Sequence, residues 1–474
     1  MICVAHPSGY LPERQYIFDV VFREFLGVEY RSQETSTRSV EVTLDGDESH
    51  RKLIVPDTLF STSPFEWLTE RSYPRLPLEE ISLRTNGDGD KPFWDVLPVL
   101  YGGRRKKLPR DSWKKESIEL TVDVFGSAFF VLTRYEELAS IERDRFDRFP
   151  ARCSILYRAG VSGLPIVDIY VDHLWDALQA LWPRLKRKPR TFSVYITHDI
   201  DNPIWNLNKT AVAVLKTSAR DLALRRSWKL ASQRWRSFKL AAQGDYREDP
   251  YNTFDFLMDR SERIGVKSAF FLKGGHTSLD FDSEYSLNAP WARALIRTIA
   301  ERGHEVGIHP SFETSGDSEA ISREFQRVRR ACEEAGIRQS VWGGRQHYLR
   351  WSNPITWQSW EDAGLQFDST LGFPEFIGFR CGTSHEYPCF NLVSRSQLKL
   401  RERPLIAMDT TLYSYMKLGR RDLIDATVGL AKICKRFGGE FTLLWHNSNL
   451  LTKGGKETYH KILRALGGEL GVVC

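Results

Sequence analysis

From residue 190 onward the chain alternates short, nearly continuous apolar runs with longer amphipathic stretches, and this alternation restricts the fold more than any other feature. The runs cover residues 192–196, 268–272, 305–308, 340–342, 405–408 and 441–445. They are rich in β-branched and aromatic residues and too short for buried helices, so each reads as a strand buried on both faces. Between them the spacing predicts helices over 290–302, 318–335, 355–363 and 423–437, with Pro290 where a helix tolerates it. Strands alternating with helices call for parallel strands covered outside by helices, that is, a closed or nearly closed (β/α) barrel of about 280 residues.

Residues 1–185 do not repeat that pattern. Ser39-Val40-Glu41-Val42-Thr43-Leu44 alternates with period two, and 52–56 is a second short strand candidate. Residues 119–125 lead into a helix through Phe129, Phe130, Leu132 and Leu138. This half is expected to be a mixed α+β domain, separate from a second domain over 190–474. A length of 474 residues suits two domains. The charged, proline-containing Leu185-Lys186-Arg187-Lys188-Pro189-Arg190 is the expected boundary. No catalytic constellation is visible in the first half. Asp123, Arg134, Glu136 and Glu137 read as a salt-bridged or solvated face rather than a binding surface. Arg104-Arg105-Lys106-Lys107 reads as an exposed turn, with phosphate binding only weakly supported.

An insertion over about 206–251 interrupts the rhythm of the second half. Residues 209–239 hold nine Lys or Arg against one acid, Asp221. Leu224, Trp228, Ala231, Trp235 and Phe238 fall on one face of a single helix. A basic amphipathic helix of this kind either lies on an anionic membrane surface or packs on its own domain with a solvated basic face. No nucleic-acid motif accompanies the charge, so no nucleic-acid partner is expected.

Composition adds few constraints. Hydrophobic residues at 41% and charged residues at 27% suit a globular chain, and a net charge of +6 selects no partner at this length. The seven cysteines are scattered and form no CxxC pair, the pattern of reduced thiols. Neither a secretory signal nor a spanning helix is visible, so a cytoplasmic protein is expected, possible membrane contact being peripheral.

Chemistry concentrates at the ends of the second half's strands. Thr197-His198-Asp199-Ile200-Asp201 closes the first, and His309 closes the third. Gly343-Gly344-Arg345-Gln346-His347 follows the fourth, and Asp409 and His446 close the last two. The C-terminal ends of parallel strands are where distant side chains converge on a ligand. One histidine alone is more often structural, and one acidic strand end is often a helix cap. Several at the same end of successive strands fit those explanations poorly. Carboxylates as close as Asp199 and Asp201 push their pKa values apart, so one suits a divalent metal and the other a proton. Carboxylates with imidazoles suit zinc or another first-row divalent ion with a position open to water. His446 is then free to act as general acid.

In order and spacing these motifs resemble the NodB-like polysaccharide deacetylase superfamily of metal-dependent carbohydrate esterases, over about residues 190–460. The resemblance implies that Asp199 is the base, that Asp201 and His309 bind metal, and that His304 in Gly303-His304-Glu305 is structural. It matches Gly344-Arg345 to the family's arginine motif and Leu443-Leu444-Trp445-His446 to its closing pattern. The family's second histidine, four residues after the first, is Glu313 here. His347 is the candidate for the missing third ligand, with Glu313 in reserve. The proline expected near the arginine is absent. Arg345, Arg380 and Asp368 are assigned to the substrate groove, with a buried salt bridge or loop-fixing role as the alternative for the last two. His198 and Asp409 receive no role.

The resemblance implies a divalent-metal-dependent hydrolase, zinc first among the candidate ions, that removes an N-acetyl or related acyl group from a sugar of a glycan or glycan precursor. The alternative is a catalytically altered binding or scaffolding protein that docks a membrane surface or a partner.

Overall fold

The computed structural model describes residues 1–82, 96–102, 112–207, 209–468 and 471. The basic stretch 104–107 lies outside them. The chain forms two compact units. Unit 1 comprises residues 1–190, 352–354 and 379–401, and unit 2 comprises 191–351, 355–378 and 402–474.

Unit 1 contains β1 (Ile2–His6), β2 (Tyr30–Glu34), β3 (Ser39–Leu44), β4 (Lys52–Pro56), β5 (Glu79–Ser82), β6 (Val96–Val99), β7 (Ser112–Trp113) and β8 (Ser117–Glu119). Six of them form a mixed sheet in the order β2-β1-β3-β4-β8-β7. β1 pairs parallel with β2 and antiparallel with β3. Val4, Val42 and Leu53 alternate inward from these strands, and α1 (Leu11–Phe18), α2 (Val124–Leu132) and α5 (Ile166–Leu181) bury their apolar faces. Two shorter helices, α3 (Tyr135–Ala139) and α4 (Ile155–Arg158), complete the N-terminal part. Residues 119–125 lead into α2 as expected, and Asp123 caps it, accepting from Gly126 N at 2.7 Å.

In unit 2, β9 (Ser193–Ile200) is central. β10 (Ser268–Leu272), β11 (Glu305–Ile308), β12 (Gly343–Gly344) and β13 (Phe367–Asp368) follow on one side, all parallel. β14 (Tyr387–Asn391) and most of β15 (Ser396–Glu402) belong to unit 1. β16 (Ala407–Met408) and β17 (Glu440–Leu444) lie on the other side of β9, also parallel. The helices are α6 (Ala211–Ala223), α7 (Trp228–Ala241), α8 (Phe254–Glu262), α9 (Pro290–Glu301), α10 (Ser318–Glu334), α11 (Ile355–Asp362), α12 (Arg420–Arg436) and α13 (Lys453–Gly468).

Two expectations are corrected, and a third, the closed or nearly closed barrel, is met only in its run of parallel strands. The (β/α) barrel is not closed by a ladder among the described residues: the seven strands run β13-β12-β11-β10-β9-β17-β16. Residues 403–405, just ahead of β16, meet the β13 end through two backbone bonds, Arg403 N to Asp368 O at 2.7 Å and Leu405 N to Leu371 O at 3.3 Å. β13 and β16, with two residues each, are too short to build a continuous seam. Residues 379–401 leave unit 2 altogether. Finally, the single amphipathic helix over 209–239 is a helical hairpin. Arg226 adopts a left-handed conformation (φ 48°) and Ser227 caps α7, accepting from Leu230 N. The predicted apolar face is thereby split: Ala231 is buried, Trp235 and Phe238 are half-buried, and Leu224 and Trp228 are exposed.

Candidate metal centre

Strand parity decides which residues of Thr197-His198-Asp199-Ile200-Asp201 can meet. Side chains two apart share a face of a strand, so Thr197, Asp199 and Asp201 project together and His198 projects oppositely. His198 packs on Phe270, with ring centroids 4.9 Å apart, and its Nδ1 donates to Trp445 O at 2.6 Å. Its Nε2 is buried without a partner, and burial pushes the imidazole down to about 4, so it stays neutral.

Glycine brings the arginine strand close. A Cβ on Gly344 would overlap the carbonyl of Ile308, so only glycine permits β12 to lie so near β11. Arg345 N then donates to Ile308 O at 3.1 Å, and His309 Nδ1 donates to Arg345 O at 2.7 Å. That bond fixes the His309 ring with Nε2 facing Asp201 Oδ1 at 3.0 Å.

His347 reaches the same oxygen. Its Nε2 lies 3.1 Å from Asp201 Oδ1, and its Nδ1 lies 2.8 Å from Asp282 Oδ1. Asp282 is held by Lys273 Nζ at 3.0 Å and by the backbone N–H groups of Thr277, Ser278 and Phe312. Burial opposes ionisation of Asp282, but His347, Lys273 and these donors hold it far below the usual carboxylate range. The potential ligand atoms of Asp201, His309 and His347 all lie within 4.8 Å of one another, and the trio is the only such group among the described residues.

The trio fits a divalent ion on hydrogen-bond grounds. A backbone carbonyl and an ionised carboxylate only accept, so His309 and His347 each place a proton on Nδ1. In their neutral forms both Nε2 atoms are bare and face the same carboxylate oxygen. Protons on both nitrogens, or one shared cation, satisfy that arrangement. Rings fixed through the far nitrogen by a carbonyl or carboxylate are the usual support of metal-binding histidines. Burial disfavours the Asp201 anion, yet His347 and His309 hold its pKa well below the ordinary value.

Around the trio stand two acid–base groups. Asp199 Oδ1 accepts from Arg345 Nη1 at 2.8 Å, and Arg345 is itself locked by Thr197 Oγ1, Ser369 O and Ser369 Oγ at 2.8–3.0 Å. On the other side His446 Nε2 lies 3.5 Å from Asp201 Oδ2, and its Nδ1 bonds Asp409 Oδ1 at 2.7 Å. Asp409 also accepts from His446 N and Asn449 Nδ2. Burial works against the charged imidazole, but Asp409, with Asp201 and Asp199 beyond it, pushes His446 up to about 10.

Of the residues assigned to the groove, Arg380 and Asp368 take the alternative buried salt-bridge and loop-fixing roles. Arg345 is fully buried and spent on Asp199, Thr197 and Ser369. Asp368 is fully buried and accepts from Thr370, with burial pushing its carboxyl up to about 7. Arg380 lies in unit 1, where it binds Glu137 at 2.5 Å. Glu313 is exposed and pairs with Arg350 at 3.1 Å, away from the trio. His304 accepts from Ser268 N at 2.9 Å, a structural position. Sequence reasoning missed Lys273 and Asp282. Lys273 follows β10 directly and obeys the same strand-end rule as the others, whereas Asp282 lies mid-loop with no local signal.

Fold and site thus define a parallel α/β unit carrying a carboxylate–imidazole cluster suited to a divalent ion. A family of unknown function, DUF7033, matches residues 2–183. No curated protein matches the chain. Among solved structures, one from Mycobacterium smegmatis named as a polysaccharide deacetylase is 18% identical, covering 59% of this chain and 85% of its own at a TM-score of 0.37. A CE4 family pseudoenzyme from Bacillus anthracis is 11% identical, covering 60% and 63% at 0.31. A Pseudomonas aeruginosa protein named as a polysaccharide deacetylase is 10% identical, covering 58% and 84% at 0.36. Likenesses this distant decide nothing about this chain's chemistry, which rests on its side chains.

Proposed function

We propose that unit 2 is a divalent-metal-dependent hydrolase that removes an N-acetyl or related acyl group from a sugar of a glycan or glycan precursor. The observation that carries this reading is the convergence of Asp201, His309 and His347 on shared space, with both imidazoles aimed by partners on their far side. The motif order resembling NodB-like deacetylases supplies the substrate class. Asp201, His309 and His347 would hold the ion, with zinc the first candidate. When bound, such an ion lowers the pKa of water and polarises an acyl carbonyl.

The chain's own residues divide the proton work. Arg345 fixes Asp199 through Oδ1, leaving Oδ2 to accept the proton of the attacking water. His446 is held protonated by Asp409 and delivers a proton to the departing sugar amine. Two groups with opposite protonation on either side of one centre are what an acyl transfer to water requires.

Elemental analysis of protein purified without added metal, with acetate release from acetylated amino sugars, tests the proposal. A stoichiometric divalent ion and acetate release are expected, and Asp199→Asn should retain the ion while losing turnover. Absence of both ion and acetate release would leave the chain a binding protein and end the hydrolase reading.

A further inference from the structure

Five of the seventeen large apolar side chains exposed among the described residues fall within residues 212–228. They are Val212 (62%), Leu215 (59%), Leu222 (40%), Leu224 (72%) and Trp228 (74%). Their placement is not random. On α6, Val214, Ser218 and Asp221 are buried, spaced four and three apart. Val212, Leu215 and Leu222, with exposed Ala219 between them, form an exposed stripe beside the buried one, spaced three, four and three. At the turn into α7 the stripe continues to Leu224 and Trp228.

Basic residues border this stripe. Lys209, Lys216, Arg220, Arg226 and Lys229 are all exposed. Two others serve the hairpin itself: Arg234 is buried over the Trp205 ring, 4.1 Å from its centroid, and binds Asp221, which also pairs with Arg225. Asp221, the one acid of the segment, is therefore turned inward and neutralised. The outer surface presents apolar and cationic groups with no acid among residues 209–239.

We infer that the α6–α7 hairpin docks on an anionic lipid bilayer, with Leu224 and Trp228 entering the interface and the flanking Lys and Arg meeting lipid phosphates. Charge complementarity and shape favour a bilayer. The apolar side chains stand 40–74% exposed on the hairpin, so a deformable apolar medium suits them. Trp and Leu above a basic rim form the pattern of interfacial helices. Each Lys or Arg near an anionic surface strengthens partition by about fivefold at moderate salt. The turn also lies at the strand-end rim that carries the candidate centre. Arg225 and Asn449 line one cleft of about 340 Å³, and Asn449 binds Asp409, the partner of His446. Docking through the turn therefore brings that rim to the lipid surface, where a lipid-borne substrate would be presented. The inference concerns the surface alone and stands whether or not the centre hydrolyses anything.

Co-sedimentation of the full chain with vesicles tests it. Binding is expected to phosphatidylcholine vesicles containing phosphatidylglycerol, with little to phosphatidylcholine alone and release at high salt. Leu224→Ser with Trp228→Ser, and separately Arg226→Glu with Lys229→Glu, should each weaken partition by at least about tenfold. All four positions are exposed, so circular dichroism and any bound metal should be unchanged. Quenching of Trp228 by brominated lipid, absent in Trp228→Phe, would place the turn in the interface. Failure to bind phosphatidylglycerol vesicles overturns the inference, and so does binding that survives both double substitutions. Equal binding to a soluble polyanion that the apolar substitutions leave unaffected also overturns it, because the surface would then recognise charge alone.

Discussion

Two buried polar clusters of this chain are alike in composition and opposite in what they leave open. In unit 1, Arg134 binds Glu137 at 2.9 Å and Glu136 at 3.1 Å, and Arg380 binds Glu137 through Nε at 3.0 Å and Nη2 at 2.5 Å. Ser154 Oγ donates to the same Glu136 oxygen as Arg134, and Ile155 N donates to the other. Two cations and two anions close on one another, and each contact there joins a donor to an acceptor. In unit 2, His309 and His347 are buried and Asp201 is half-buried, and with neutral imidazoles the atoms that face one another are all acceptors. Each imidazole is tied outward, and both inner nitrogens meet one oxygen. Burial and pairing therefore do not mark a functional site by themselves. Convergence of several acceptors on one point does.

The strongest test of this contrast is to empty each cluster in turn. Asp201→Ala or His309→Ala should abolish metal binding and lower kcat/KM by about a thousandfold or more, the several kcal/mol an ion supplies. Full metal content in both variants, by elemental analysis, would remove the distinction. Glu137→Ala should instead destabilise unit 1 by about 3–5 kcal/mol, since it removes the carboxylate that two buried guanidinium groups share. Denaturant unfolding would measure this, and metal content per folded molecule should not change.

A smaller effect sharpens the comparison within unit 2. Asp282→Asn removes the charge that fixes His347 and pairs Lys273, so metal affinity should weaken by about 10–100-fold. Competition with a chelator reads the change, and unaltered affinity would make Asp282 merely a loop anchor. The smallest effect concerns His198. Its folded pKa of about 4 lies below the unfolded value near 6.5, so the unfolded chain takes up its proton first as pH falls. Wild type should lose stability relative to His198→Asn between about pH 6.5 and 4, by about 1 kcal/mol near pH 5.5. Taking the difference cancels other groups that titrate in that window. A pH-independent difference would contradict the neutral, buried imidazole.

Much of unit 2 was legible as periodicity. The expected strands at 268–272 and 305–308 match β10 and β11, and the helix predicted over 318–335 matches α10 (Ser318–Glu334) within a residue. These elements announce themselves because both strand faces are buried and the helices carry one continuous apolar face. The hairpin at 209–239 was read as one helix because its apolar spacing continues across the break. The signal that mattered was local: Ser227 ahead of a new helix, as a cap. Arg380 was misplaced for a different reason. Residues 379–401 follow unit 2 in sequence and fold with unit 1, and one chain position carries no sign of which core will accept it.

By itself the sequence determined which residue types end each strand and, through strand parity, that Asp199 and Asp201 share a face while His198 turns away. Those facts are local, set by the two-residue repeat of an extended chain. Only tertiary structure decided that His347 joins His309 at Asp201 while Glu313 stays outside, because the choice depends on Gly344 letting β12 approach β11 and on Asp282 arriving from a loop 65 residues before His347. Ligand geometry is made by contacts distant in sequence, and periodicity does not encode them.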